Sequence, residues 1–103
     1  MARHIAADGL ELFRAVVVTT STREGEEPTT RTSYFGPYNK VGTARAQVTA
    51  EKRSAEYLNA NSRAHERRRE SSPNPALWSN WKPTFREVTG HVEKANVTWE
   101  QIQ

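Results

Sequence analysis

Residues 34–58 decide the fold, and they read YFGPYNKVGTARAQVTAEKRSAEYL. Aromatic residues lead into Gly36-Pro37, and the stretch after them contains no further proline and only one glycine, Gly42. Proline cannot donate to a β-ladder and glycine permits a sharp corner, so this pattern predicts that a strand ends at Gly36-Pro37. The uninterrupted run that follows predicts the one long helix of the chain.

The helix shows start signals and a single apolar stripe. Asn39 and Thr43 are both residue types that cap helix N-termini, so either one predicts the start. Apolar residues then recur at helical spacing and predict a narrow, alanine-rich stripe that packs closely on a sheet: Val41, Ala44, Val48, Ala55 and Leu58. Polar residues between positions 59 and 62 disfavour helix, and we expect the helix to fray or restart there, before Glu70.

Upstream of this stretch, the sequence predicts a β-hairpin over residues 10–35. Residues 10–20 are rich in β-branched residues and apolar on both faces, which is typical of a central strand. Residues 23–28 are polar and include a glycine and a proline, as expected of a hairpin loop. Residues 29–35 return as a second strand of threonine, serine and aromatic residues.

Downstream of the helix, residues 71–83 contain three prolines together with Trp78 and Trp81, which predicts an irregular crossing loop that the tryptophans pin to the core. Residues 84–91 and 95–102 are predicted to be strand, with Val88 and Val92 on one face and Trp99 in the core. The pattern leaves open whether these residues form one bulged strand or two short ones.

These elements predict an α+β domain. Their order is β-β-α-β, and the architecture is a three- or four-stranded, mainly antiparallel sheet with one long helix packed across it. Residues 1–9 show no periodicity, so we expect a loosely ordered N-terminus followed by a single domain over residues 10–103.

Composition excludes several classes of protein. The chain has no cysteine, so disulfides and thiolate metal sites are excluded. Its longest apolar run, residues 15–18, is far shorter than the roughly 20 residues of a membrane-spanning helix, and its N-terminus lacks the apolar region of a secretion signal. We therefore expect a soluble, intracellular protein without a membrane partner. The mean hydropathy of −0.86 is low for a chain that folds alone, which makes a homodimer an alternative.

The sequence resembles a group of small uncharacterised accessory proteins encoded by phages of actinobacteria. The resemblance rests on Tyr34-Phe35-Gly36-Pro37-Tyr38, on Gly42-Thr43-Ala44 at the helix start, and on two C-terminal motifs, Gly90-His91-Val92-Glu93 and Val97-Thr98-Trp99-Glu100. It covers the middle and C-terminal two thirds of the chain, and the stretch from His65 to Pro83 is longer than in the group. The resemblance implies a phage gene product that acts on the bacterial host, and it supplies no catalytic or binding residue.

Motifs for catalysis are missing from the sequence. His4, His65 and His91 lie apart, no nucleophile and base occur in a known arrangement, and no pair of ligands repeats at metal-binding spacing. The spacing of Gly36 and Gly42 lacks the Lys-Ser/Thr that completes a phosphate-binding loop. We therefore expect a non-enzymatic protein without a metal or cofactor, whose histidines face solvent.

Basic residues are concentrated on the predicted helix. Residues 40–69 carry eight basic and three acidic residues, although the formal net charge of the whole chain is only +3. At roughly 100° per residue, Arg45, Lys52 and Arg63 line up about 90° from the apolar stripe. Arginine clusters bind phosphates, and tryptophans stack on bases. The candidate binding residues are Arg45, Lys52, Arg63, Arg67, Arg68, Arg69, Trp78 and Trp81.

Two interpretations compete with nucleic-acid binding. Glu66 and Glu70 are spaced to pair with Arg63 and Arg67, which would leave only a solvated, salt-bridged helix end. Arginine, tryptophan and tyrosine are also enriched in protein interfaces, and a small sheet exposes edges that bind other chains. We expect a non-enzymatic phage accessory protein that binds a host protein in the cytoplasm of the bacterial host. The alternatives are a nucleic-acid-binding protein and a minor structural protein of the virion.

Overall fold

A computed structural model describes residues 9–74, 76 and 81–102. Within them the chain forms strands β1 (Glu11–Arg23) and β2 (Thr29–Tyr38), helix α1 (Val41–Ser71) and strand β3 (Thr84–Asn96). The sheet has the order β2-β1-β3, and both pairings are antiparallel. The predicted α+β class, the hairpin and the central position of β1 are confirmed. The predicted loosely ordered N-terminus lies outside the described residues, apart from Gly9.

The core lies between α1 and one face of the sheet. Ala15 and Val17 of β1 point to this face and contact Ala44 and Val48 of α1. Side chains that are partly buried complete the cluster: Phe13, Phe35, Tyr38, Val88 and Val92. Among the described residues, the buried hydrophobic side chains are all alanine or valine. Because the free energy of burial scales with the apolar area removed from water, this is a thin core.

Helix α1 packs most extensively on β3, and Gly90 permits the close approach. A Cβ atom at Gly90 would lie 2.8 Å from Cγ1 of Val48 and 3.1 Å from the carbonyl oxygen of Val16. Real Cβ atoms do not approach another atom as closely as 2.8 Å, so a side chain at position 90 would force Val48 or the adjoining backbone to shift. The helix therefore lies against β3 because residue 90 has no side chain.

The predicted end of β2 at Gly36-Pro37 is wrong, because these residues form a bulge inside the strand. Phe35 pairs with Ala15 and Tyr38 pairs with Phe13, so the register shifts between the two pairs. Gly36 has φ of 130°, and a Cβ atom there would lie 3.0 Å from the carbonyl oxygen of Phe13. A bulge absorbs the extra residue and lets the strand continue to Tyr38.

The predicted helix start and the predicted weak point are also wrong. Lys40 occupies the N-cap position without a side-chain hydrogen bond, so neither Asn39 nor Thr43 caps the helix. Helix α1 then runs without a break to Ser71. It continues through residues 59–62 because two of their polar side chains bind the backbone of β3, which offsets their low helix propensity.

The C-terminal strand is one strand and ends earlier than the sequence predicts. Strand β3 is continuous from Thr84 to Asn96, so the alternative of two short strands is wrong, and residues 97–102 lie outside it. Val88 and Val92 contact the core on the same face, as predicted. Trp99 is 63% exposed, so the predicted core position of this side chain is wrong.

Candidate functional site

A groove runs between one flank of α1 and the outer edge of β3. It consists of two cavities of about 430 and 310 Å³. The first is lined by Arg45, Val48, Thr49, Gly90, His91 and Val92, and the second by Lys52, Ala55, Glu56, Asn59, Arg86, Glu87 and Val88. Because both cavities lie along the same helix flank and the same strand, we treat them as one site and call it the β3 groove.

One end of the β3 groove is closed by side chains of α1. Asn59 donates from Nδ2 to the carbonyl oxygen of Arg86 at 2.8 Å, and the backbone N–H of Arg86 donates to Oδ1 of Asn59 at 2.7 Å. Ser62 donates to the carbonyl oxygen of Thr84 at 2.6 Å. These bonds satisfy the strand-edge groups that a neighbouring strand would otherwise bind. No further strand can pair with β3 at this end.

The other end of the strand edge is open. Backbone groups alternate in direction along an antiparallel strand, so the N–H and C=O groups of Val88, Gly90 and Val92 point to the same side as those of Arg86. Within the described part of the chain, no hydrogen bond reaches these three residues from that side. A row of unpaired strand groups is a template for pairing with another chain.

The open part of the groove is basic. Arg45 and Lys52 lie on the flank of α1 beside it and are exposed to solvent. In residues 9–74, 76 and 81–102, neither side chain makes an ion pair. Arg45 lines the first cavity with Gly90 and Val92, whereas Lys52 lines the second with Val88 and Glu56. Arg45 therefore brings positive charge to Gly90 and Val92, and Lys52 brings it to Val88, where Glu56 partly offsets it.

Arg69 and Trp81 form a structural contact instead of a free binding surface. The Arg69 guanidinium lies 5.0 Å from the centre of the Trp81 ring and 3.2 Å from Oε2 of Glu24 in the hairpin loop. The Trp81 ring centre also lies 6.1 Å from that of His65. Trp81 is half-buried, and these contacts join it to the end of α1. Trp78, which was predicted to act with it, lies outside the described residues.

The other arginines of the run remain exposed at the end of α1. Among the described residues, the predicted ion pairs of Glu66 with Arg63 and of Glu70 with Arg67 do not form, and Glu66 pairs with Arg69 at 3.9 Å instead. Arg63, Arg67 and Arg68 carry no ion pair within the described ranges. The interpretation of this segment as a salt-bridged helix end is therefore wrong for these residues, whose positive charges stay available.

The sheet face opposite α1 carries a network that the sequence analysis missed. Arg14 donates from Nε to Oε1 of Glu93 at 2.8 Å, and its guanidinium lies 4.7 Å from the centre of the Tyr34 ring. His91 Nε2 lies 3.0 Å from Oε2 of Glu93. These residues come from all three strands and lie beside Val16, which is only 5% exposed. Only the strand pairing brings them together, so no spacing in the sequence reveals them.

This network holds the Glu93 carboxylate in its ionised form. The hydrogen bond from His91 lowers the pKa of Glu93 the most, and the hydrogen bond from Arg14 lowers it further. A cavity of about 350 Å³ lies beside Arg14 and Glu93, but a carboxylate with a lowered pKa is a poor proton donor. The arrangement stabilises the sheet and does not resemble a general acid.

The described part of the chain contains no group of three or more histidine or acidic side chains that could hold a metal ion. Of the helical residues that the structure describes, none form a segment both long and apolar enough to cross a membrane.

Comparison with known proteins gives no match. The chain matches no protein-family model, no curated protein and no solved structure.

Proposed function

We propose that this chain is a non-enzymatic accessory protein that binds a partner protein by accepting one of its strands at the open end of the β3 groove. One observation carries the proposal: the unpaired backbone groups of Val88, Gly90 and Val92 lie beside Arg45 and Lys52. Strand addition to an exposed edge is an established mode of peptide recognition, in which backbone hydrogen bonds supply affinity.

The flanking charges define the chemistry of the partner. Side chains of an added strand alternate between the two faces of the sheet, so every second one would point toward α1. Those side chains would meet Arg45 and Lys52, which favours acidic residues in the partner. Asn59 closes the edge at Arg86, so the partner strand would pair between Val88 and the end of β3. The favoured partner is an extended acidic segment.

The resemblance to actinobacterial phage proteins supplies the biological context of the proposal. A phage accessory protein acts inside the infected cell, so the partner is a host protein and the site of action is the host cytoplasm. The β3 groove replaces the tryptophan loop as the proposed contact surface, because Trp81 already packs on Arg69.

The test is capture of a host protein by purified chain from nuclease-treated actinobacterial lysate, compared between three proteins. Wild-type chain should retain a defined protein, and R45E/K52E should lose it because both flanking charges are reversed. R67E/R68E makes the same charge change at the exposed helix end and should retain it. Equal loss from both variants would contradict the proposal, since it would show that total charge controls binding.

Hydrogen exchange on the purified complex tests the binding mode. The amides of Val88, Gly90 and Val92 should exchange more slowly in the complex than in the free chain, because the added strand accepts their hydrogen bonds. The amides of Thr89 and His91 point toward β1 and should be slow in both. If other amides exchanged more slowly in the complex but those of Val88, Gly90 and Val92 did not, the partner would bind elsewhere.

A second candidate function is nucleic-acid binding. The observation that favours it is the row of exposed arginines, in which Arg63 continues the line of Arg45 and Lys52 along one helix flank. Binding of a labelled single-stranded oligonucleotide, followed by fluorescence anisotropy, should then fall steeply between 50 and 200 mM salt as counterions are released. Replacing Arg63, Arg67 and Arg68 by alanine should abolish it. Binding that persists in this variant would contradict a phosphate-binding role for these arginines.

A further inference from the structure

The outer edge of β2 differs from that of β3 because α1 does not reach it. The backbone N–H and C=O groups of the odd-numbered residues of β2 point toward β1. Because this direction alternates along a strand, the N–H and C=O groups of Thr30, Thr32 and Tyr34 point away from the sheet. No hydrogen bond between the described residues reaches these backbone groups.

The composition of β2 leaves this edge unprotected. Natural sheets protect their edges with charged side chains, prolines or bulges. Between Thr29 and Phe35, Arg31 is the one charged residue, and the bulge and proline come only at Gly36-Pro37. This segment is a hydroxyl-rich edge strand of seven residues, counted from Thr29 to Phe35.

We propose that a second copy of this chain pairs its β2 with the β2 edge in antiparallel orientation, which joins the two sheets into one. This dimer is independent of the partner proposed for the β3 groove and goes beyond that function, because it uses the opposite edge. A two-fold axis makes the interface self-complementary, so one unprotected strand supplies both halves.

The side chains of β2 select one register. An axis through Thr32 pairs the whole segment from Thr29 to Phe35 with itself and places Arg31 opposite the partner's Ser33. It also places Tyr34, which is 60% exposed in the single chain, opposite the partner's Thr30. An axis through Arg31 would set two guanidinium groups directly opposite each other, and like charges in that position are destabilising. The geometry therefore points to Thr32 at the axis.

The β3 edge is a poor alternative for self-pairing. Two β3 edges brought together would place Arg45 and Lys52 of both copies along one seam, where like charges repel. Asn59 also blocks part of that edge. Dimerisation through β2 keeps the β3 groove of each copy free, and it adds stability to a chain whose buried hydrophobic side chains are only alanine and valine.

The first test measures the mass of the full chain by light scattering over a wide concentration range. Wild-type chain should be a dimer, and T32P should be a monomer at the same concentrations, because the proline removes an N–H that only the dimer uses. K94P is the matched control: the N–H of Lys94 also points outward, but from β3, so this variant should remain a dimer.

Two further variants test the same interface if T32P does not fold. T32E leaves the backbone intact and places two carboxylates at the axis, so it should weaken the dimer at least tenfold. T32C should form a disulfide-linked dimer under mild oxidation, since residues of a hydrogen-bonded pair have Cα atoms about 5.5 Å apart, within the range of about 4.4–6.8 Å that a disulfide spans. T89C, on the same sheet face of β3, should not cross-link. The chain has no other cysteine.

Three outcomes would overturn the proposal. Wild-type chain that stays monomeric at all concentrations has no such interface. A dimer that persists unchanged in T32E forms through another surface. Cross-linking of T89C that is as efficient as that of T32C shows that encounters between copies are random.

Discussion

Strands β2 and β3 both lie at an edge of the same three-stranded sheet, but helix α1 makes the two edges unlike. At β3, Asn59 and Ser62 bond to strand-edge groups at one end, and Arg45 and Lys52 border the open remainder. At β2, α1 makes no such contact, and the strand is almost without charge.

This difference shows how one helix gives two edges of a small sheet unlike surfaces. Along the edge that α1 borders, the positive charges of two copies would repel each other. A neutral, unprotected edge carries no barrier to its own copy. The position of α1, set by Gly90 and Val48, therefore determines which surface remains for self-association.

Hydrogen exchange should show the largest difference between the two edges. In the dimer, the amides of Thr30, Thr32 and Tyr34 are protected, whereas those of Val88, Gly90 and Val92 in the chain without a partner are open to water. At a concentration about 5,000 times the dimer dissociation constant, about 1% of the chain is monomeric, so the β2 amides should gain about 100-fold protection. Dilution should remove it. If the amides of β2 and β3 exchanged at equal rates at high concentration, the proposed difference between the two edges would be contradicted.

Filling the space at Gly90 should give the next largest effect. In G90V, the new side chain meets Val48 and the carbonyl of Val16, and the cost of such overpacking is about 1–3 kcal/mol in the free energy of unfolding, measured by urea denaturation. S33V, on the helix-facing side of β2, is the control and should change this free energy by less than about 0.5 kcal/mol. The V48A substitution should recover part of the loss in G90V. Additive effects of the two substitutions would argue against direct contact between these residues.

Removing the Asn59 side chain should open the closed end of β3 at a smaller cost. N59A loses two hydrogen bonds to the Arg86 backbone, which then bonds to water, and we expect a loss of about 1 kcal/mol in the free energy of unfolding. In N59D, the carboxylate still accepts from the Arg86 N–H, but its second oxygen faces the Arg86 carbonyl oxygen and repels it, so N59D should be no more stable than N59A. The Arg86 amide should also exchange faster in N59A than in wild type. An unchanged exchange rate would mean that Asn59 does not close the edge.

The smallest effect concerns the network on the sheet face opposite α1. Because His91 and Arg14 lower the pKa of Glu93 in the folded chain, the ionised carboxylate contributes stability above its ordinary pKa, and this contribution is lost as pH falls through the lowered value. Wild type should therefore have a slightly higher melting temperature than E93Q at pH 7, and the difference should shrink below about pH 4.

E87Q is the matched control for E93Q. Glu87 lies on the same face of β3, and in the described residues it has no ion pair. This variant should melt like wild type at both pH values. If the difference in melting temperature between wild type and E93Q grew as the pH fell, it would contradict a lowered pKa of Glu93.

The fold was predictable where short stretches of sequence carry the signal. The β-branched residues of β1, the turn residues after it and the alanine-rich stripe of α1 predict the hairpin, the helix and its packed face. The sequence misled where tertiary contacts compensate for local preferences. Asn59 and Ser62 weaken an isolated helix, but here they bond to β3, and Gly36 forms a bulge because the strand continues after it.

The candidate site was predictable only in part. The line of Arg45 and Lys52 on one helix flank follows from helical periodicity alone, and both residues border the β3 groove. Arg69 was expected to join them, but it turns toward Glu24 and Trp81. Those contacts are distant in sequence, and no helical spacing predicts them.

The sequence by itself determined the element order, the central position of β1 and the basic flank of α1, because each depends on the type and spacing of neighbouring residues. The tertiary structure alone decided that α1 borders the edge of β3 and leaves the edge of β2 uncovered. It also decided which polar residues meet across the sheet. These features depend on how α1 crosses the sheet, and its path is set by the close contact of Val48 with Gly90 and by the bonds of Asn59 and Ser62 to β3. Such contacts join residues far apart in the chain, and no local pattern encodes them.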